Sequence, residues 1–365
     1  MKYKPNVEEV IECFEAFWNR DKLDRIPIRI RIPTGNLQAH ESYLEAHREL
    51  RSEQEEKWED IVLDPEKYFN YWEQQLRVSI ELADDTIPTA SPDLGPALMG
   101  GMMGADISFK NGTSWSEHPL TDWGNVGEYA FNPSNRWVTK IVEMTKYFIE
   151  QNEGLFAVGL PNLTGPADIL ASLRGPTQVC LDLYENPDAL KELSERCAAA
   201  QISAFNTLFA TLPQYFGGTC EPYMYWTPGR ACWLSCDLSL VLSPALYRQH
   251  FREFDQVIVD FLDTCWMHVH SGGAFMVNEF LQLEGLKGVQ IVNDTPAGPD
   301  IKALVPVFQE IQKRHCLILR KYSIDEVKSI LPELEPAGLF VDTQCDSLRS
   351  AQESLEEWSK FTKSL

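Results

Sequence analysis

The chain has 365 residues, enough for one large α/β domain or two ordinary ones, with an ample core and no need of covalent staples. Its 54 acidic against 32 basic residues give a formal charge of −22, which disfavours nucleic acid and anionic membrane surfaces and leaves cationic or neutral ligands easier to accommodate. No apolar run approaches a membrane span, Met1 to Arg20 is amphipathic rather than signal-like, and the nine cysteines form no paired framework, so a reducing, cytoplasmic setting is expected.

An amphipathic stretch at 6–20 predicts the first helix, and Ile26 to Ile32 the first strand. Asp64-Pro65, Asn132-Pro133, Asn186-Pro187 and Ser243-Pro244 each set a capping side chain before a proline at a first helical position. They predict helices over about 65–83, 133–152, 187–212 and 244–263, followed by others near 299–314, 323–331 and 346–363. Ser323-Ile-Asp-Glu326 has the form of a capping box. Residues 86–131, with Ser91 to Pro96 and Gly100 to Gly104, are irregular and read as a cover over an active-site mouth.

Short apolar runs rich in β-branched residues predict strands at Leu155 to Leu160, Cys265 to Val269, Val289 to Val292, Cys316 to Leu319 and Leu339 to Val341. From residue 260 onward strand and helix alternate, which implies parallel strands covered by helices. The expected fold is α/β, a (β/α)8 TIM barrel with an elaborated N-terminal region; a doubly wound open sheet is the second solution. A single domain over 1–365 is expected, with 1–131 supplying a helical extension and lid-like loops.

His268 and His270 stand two apart where the strand Thr264 to His270 stops at Ser271-Gly272-Gly273, so both imidazoles leave one face at one strand end. Cys345 follows the strand Gly338 to Asp342, also at a strand exit. Two nitrogens and a thiolate from separate strands suit catalytic zinc with an open fourth position. A polar strand end and one more buried thiol is the plainer alternative.

Asp168, Asn293 and Asp294 follow strands that end on the same face as His270, and Asp294 is the preferred polar partner of the histidines. Glu221, Tyr223, Tyr225, Trp226 and Trp233 crowd one loop and suit either a pocket wall for a flat or cationic ligand or packing on the rim. Arg174 reads as structural, and Asp106, Glu117 and His118 as surface groups. Cys232 and Cys236 lack a second pair and read as small buried hydrophobes.

Leu163 to Asp168, Leu173 to Gly175, Leu183 to Pro187, Trp226 to Gly229, Ser235 to Asp237, His268 to Gly273 and Gly285 to Gln290 together resemble the uroporphyrinogen decarboxylase superfamily, over roughly residues 60–362. The resemblance implies the same barrel and offers two chemistries. One is metal-free decarboxylation of a porphyrinogen, for which the stretch Arg25 to Asn36 keeps some arginines but not the order of that branch's signature. The other is zinc-dependent methyl transfer between a corrinoid protein and an acceptor, with zinc held by a His-x-Cys pair and a distant Cys.

Here the pair is His268-x-His270 and the distant cysteine is Cys345, so the resemblance implies a zinc site with one thiolate fewer. The expected function is a zinc-dependent methyltransferase acting between a methyl-corrinoid, free methylcobalamin or a corrinoid carrier protein, and a thiol or tetrahydrofolate acceptor. A decarboxylase or lyase of a small or pyrrolic carboxylate, using the arginines at 25–31 and Asp168, is the first alternative. A non-catalytic corrinoid- or ligand-binding protein is the second.

Overall fold

The computed structural model describes residues 1–32, 55–110 and 113–363; the segment Pro33 to Asn36, compared above with the arginine signature, lies outside them. Strands form where apolar side chains occur on both faces of extended backbone, because helices cover both sides of a parallel sheet. In chain order they are β1 (Ile28–Arg31), β2 (Thr89–Ala90), β3 (Ile107–Lys110), β4 (Thr113–Ser116), β5 (Ala157–Val158) and β6 (Gly218–Cys220). There follow β7 (Trp226–Pro228), β8 (Ala231–Ser235), β9 (Thr264–His270), β10 (Leu286–Val292), β11 (Cys316–Arg320) and β12 (Leu339–Gln344).

Six of these make one sheet in the order β1-β12-β11-β10-β9-β8, with every neighbouring pair parallel. The first strand therefore pairs with the last, with Arg29 opposite Asp342. Parallel neighbours need a crossover, and the helices Pro244–His250 and Arg252–Phe261, Val305–Gln312 and Ile324–Ile330 supply crossovers between successive strands. β2 pairs with β5 in parallel, while β3–β4 and β6–β7 are antiparallel pairs. The fold is thus mixed α/β, as the alternation predicts.

The first helix, Val7–Asn19, buries Val7, Val10, Ile11, Phe14, Phe17 and Trp18 at helical spacing. Phe14 stacks on Phe340 of β12 at 5.2 Å, and Trp18 donates from Nε1 to the Trp226 carbonyl. Chain end and chain start are tied together by these contacts.

Several boundaries differ from the sequence reading. The helix expected from Pro133 starts at Arg136, because Asn132 accepts from Ser134 N in a turn and Asn135 is the residue that caps, accepting from Trp137 N. The helix expected over 244–263 breaks at Phe251, whose φ of −129° is not helical. Only Ala157–Val158 of the strand expected at 155–160 is regular, since Gly159 N bonds Ala90 O and Leu160 N turns to Cys220 O. Within 86–131, Leu98–Met102 is a fully buried helix and 107–116 contains the β3–β4 hairpin, so much of this stretch is packed rather than loose.

Candidate functional site

Parallel strands present their carboxyl ends on one edge, and polar residues gather there because helices do not cover the strand tips. His268 and His270 sit on the same face of β9, as their spacing predicts, with ring centroids 5.2 Å apart and nearly perpendicular planes. β8 ends beside them: Ser235 lies in register with His268, and Asp237 follows two residues later. One ligand atom from each of Asp237, His268 and His270 falls within 4.8 Å of the others.

Each imidazole is oriented from behind. Gln290, opposite His268 on β10, accepts a hydrogen bond from His268 Nδ1 at 2.5 Å. The amide orientation follows from its other bond: Tyr225 donates its hydroxyl to Asp342, so that hydroxyl accepts from Gln290 Nε2. Oε1 must then face His268, which fixes the proton on Nδ1 and leaves Nε2 with a free lone pair. Asp294 does the same for His270, accepting from Nδ1 at 2.7 Å while His270 Nε2 faces Asp237 Oδ1 at 3.8 Å.

Asp237 is held by Asp168. The Asp168 carboxylate accepts from Ser235 Oγ at 2.7 Å, from Asp237 N at 3.1 Å and from Leu238 N at 3.0 Å. This grip needs the helix Pro166–Arg174 to abut the tip of β8, and a Cβ on Gly165 would collide with the Ser235 carbonyl oxygen. Asp168 is therefore a positioning group whose oxygens are already engaged.

The charges suit a cation. Burial, with Arg320 and His270 nearby, pushes His268 down to about 3 against the pull of its Gln290 bond, so it is neutral at physiological pH. Burial and the Asp168 carboxylate push Asp237 above the usual carboxylate range, against the pull of His270. Burial alone would raise Asp294 too, but the hydrogen bond from His270 holds it low.

Aromatic rings wall the inner side. Tyr223 stacks on His268 at 5.5 Å and brings its hydroxyl within 3.3 Å of Nδ1, with Trp233 and Trp266 behind it at 4.8 and 5.7 Å. Arg320 lies over the other part of this system, its Cζ 4.1 Å from the Tyr223 centroid. Glu221 is buried with Oε2 accepting from Tyr223 N, and burial pushes it up to about 8, so it keeps its proton at neutral pH. A cavity of about 440 Å³ bounded by Asp237, Leu240, His270, Gly272, Asp294 and Ala297 opens on the His270 side of the cluster.

Cys345 is not brought to this cluster. Its thiol lies 3.6 Å from Ser354 Oγ, against the helix Leu348–Thr362. The strand β12 ends at Gln344 three places along the sheet from β9, and the turn sends the next side chain toward the covering helix. Trp226 is also elsewhere, donating to the Tyr215 carbonyl, and Asn293 closes a local turn by accepting from Thr295 N. Arg174 forms a buried pair with Asp182 at 2.6 Å, as its structural reading requires. Asp106 pairs with Arg136 on the surface, Glu117 is exposed, and His118 donates to the Ser172 carbonyl. Cys232 and Cys236 are buried thiols outside any metal cluster among the described residues.

Asp237 as a third member of the cluster and Gln290 as the partner of His268 do not appear among the sequence expectations. Neither does the row formed in register by Arg320 on β11, Asp342 on β12 and Arg29 on β1. Asp342, fully buried, meets Arg29 at 3.0 Å and Arg31 and Arg320 at 3.3 Å.

No helix among the described residues is long and apolar enough to cross a membrane. No protein-family model matches the chain, and no curated protein matches it either. Among solved structures it is similar to a methyltransferase from Methanosarcina mazei, with a TM-score of 0.63, 13% sequence identity and coverage of 96% of this chain and 98% of that one. At that identity the likeness establishes a shared fold along nearly the whole of both chains.

Proposed function

We propose that the protein is a zinc-dependent methyltransferase that moves a methyl group between a methyl-corrinoid, free or on a carrier protein, and a thiol or tetrahydrofolate acceptor. One observation carries the reading: two imidazoles with Nε2 left free, clustered with the carboxylate of Asp237 at the strand tips of a fold shared with a methyltransferase. The ligand set we assign is His268, His270 and Asp237, with Cys345 outside it. Two nitrogens and one carboxylate fit zinc with an open fourth position. We also read the six-stranded sheet as part of a closed (β/α)8 barrel, supported by bonds from Asp85 N to Ile28 O, Ala157 N to Pro88 O and Leu160 N to Cys220 O, which link the short strands to their neighbours.

Zinc bound there would act as a Lewis acid that lowers the pKa of an acceptor thiol. The chain's own residues do the rest. Gln290 and Asp294 hold the imidazoles in one tautomer and one orientation, and Asp168 holds Asp237 in place. Tyr223, Trp233 and Trp266 close the inner side to water. The exposed Leu240 lines the mouth and offers an apolar edge to a large flat partner.

A metal-free decarboxylase is the second reading, and the buried arginine row is what favours it. Elemental analysis and turnover separate the two. Protein purified without chelator should carry about one zinc per chain and demethylate methylcobalamin with one of a panel of thiols or tetrahydrofolate, followed by the cobalamin spectrum. Zinc-free protein that decarboxylates a pyrrolic or aromatic acid would replace the first reading with the second. Zinc-replete protein that turns over none of these would leave a ligand-binding role.

A further inference from the structure

Asp342, Tyr225 and Gln290 stand in file behind His268, all fully buried, and each can face only one way. At the far end Asp342 is surrounded by Arg29, Arg31 and Arg320. Burial alone would raise its pKa, but the three guanidinium groups hold it low, so it is a carboxylate that can only accept. Tyr225 donates to it at 2.7 Å, and burial together with Asp342 pushes the phenol up, so the hydroxyl keeps the one proton it has to give.

The Tyr225 oxygen then accepts from Gln290 Nε2 at 3.1 Å, and Gln290 Oε1 is left to accept from His268 Nδ1. Turning the amide over would set Oε1 against the Tyr225 oxygen, two acceptors with no proton between them. The ring cannot swing away to relieve that clash. It is packed by Phe340 at 5.2 Å and Trp266 at 5.9 Å, and the turn that carries it closes through a bond from Met224 N to Glu221 O at 2.7 Å. Met224 O in turn accepts from Ile87 N, which ties this turn to the segment leading into β2.

We propose that Tyr225 and Asp342 are positioning residues for the metal site: they lock the Gln290 amide so that His268 keeps its proton on Nδ1 and offers Nε2 to the metal. The inference rests on the zinc reading for the metal, but the tautomer it fixes is a property of the metal-free protein. It also gives the arginine row a task inside the fold that calls for no substrate. As long as Asp342 can only accept, the Tyr225 proton points to it and the amide has one orientation.

The test is proton–nitrogen NMR of isotope-labelled imidazoles in metal-free protein at neutral pH, with the His268 signals assigned by their loss in His268→Asn. The parent should show one tautomer, with the proton on Nδ1. Tyr225→Phe removes the directing hydroxyl and opens both amide orientations. The Nε2–H form should then rise toward about half of the population, and zinc affinity should fall about twofold in step. Adding Gln290→Glu to Tyr225→Phe should restore the Nδ1–H form, because a carboxylate accepts whichever way it turns. Tyr223→Phe, which loses a hydroxyl 3.3 Å from the same nitrogen but no member of the file, should keep the parental tautomer.

A parent His268 with its proton on Nε2 overturns the proposal, as does a folded Tyr225→Phe that stays wholly Nδ1–H. So does a double variant that fails to return to Nδ1–H, or a Tyr223→Phe that shifts the tautomer as far as Tyr225→Phe. If Tyr225→Phe does not fold, Gln290→Leu decides beside the parent: the Nε2–H form is expected, and persistence of Nδ1–H overturns the proposal. Because metal is absent, failure here leaves His268, His270 and Asp237 standing as ligands. A parent locked in the Nδ1–H form that never takes up zinc refutes the zinc reading alone.

Discussion

Replacing Gln290 by Leu removes the acceptor behind His268 while keeping a side chain of similar bulk. In the parent, the bond from His268 Nδ1 to Gln290 Oε1 is 2.5 Å long and the ring is 9% exposed, so no water takes the vacated place. Without metal the imidazole can shift its proton to Nε2 and avoid the loss. A metal on Nε2 forbids that shift, so the cost of an unpartnered buried donor, about 1–3 kcal/mol, falls on the metal-bound state. At about 1.4 kcal/mol per factor of ten, that is roughly fivefold to a hundredfold in zinc affinity. Tyr223 Oη, 3.3 Å from the same nitrogen, recovers part of it, so about tenfold is expected. The assay is competition for zinc against a chromogenic chelator, with Gln290→Glu beside it: a carboxylate also accepts from Nδ1 and should hold zinc within a few-fold of the parent. Parental affinity in Gln290→Leu, together with loss of zinc in His270→Ala, would refute the assignment of His268 Nε2 as a ligand.

Cys345→Ser should retain zinc, whereas Asp237→Ala and His270→Ala should lose most of it, as read by elemental analysis after dialysis; His270→Cys should retain it. Arg174→Ala should lower unfolding free energy by about 3–5 kcal/mol in urea titrations, because it leaves the buried Asp182 carboxylate without its cationic partner and frees the Leu120 and Thr121 carbonyls, yet leave zinc affinity unchanged. Asp255 is fully buried and burial, with Asp168, raises its pKa from 3.8 to about 7 against the bond from Tyr247. Folding therefore keeps a proton that the unfolded chain releases, and stability is lost as pH rises from about 4 to about 7. Asp255→Asn should match the parent near pH 4 and exceed its melting temperature at pH 8; an unchanged difference across that range would show that Asp255 does not titrate this way.

Period and capping carried much of the fold. The β9 sequence Thr264–His270 announces both a buried strand and a polar tip, and Ser323 and Glu326 form the capping box their spacing implies. What periodicity does not encode is the pairing of strands far apart in the chain. Arg29, Asp342 and Arg320 become neighbours only through the β1–β12–β11 register, so their row was invisible to a local reading. Asp237 escaped for a related reason: it leaves an irregular turn after β8, although Ser235 to Asp237 had drawn notice as a motif. Asp294 was legible because β10 follows β9 directly and pairs with it. Cys345 misled because a strand exit fixes the end of the sheet but not the direction of the side chain in the turn beyond it.

The ligand set itself is most directly measured by X-ray absorption at the zinc edge of the purified, zinc-replete protein. The account predicts two imidazole scattering patterns and oxygen or nitrogen donors near about 2.0–2.1 Å, with no sulfur in the first coordination sphere. A sulfur scatterer at about 2.3 Å would place Cys345 or another thiol on the metal and contradict the assignment of Asp237, and a spectrum lacking imidazole would contradict His268 and His270 as well.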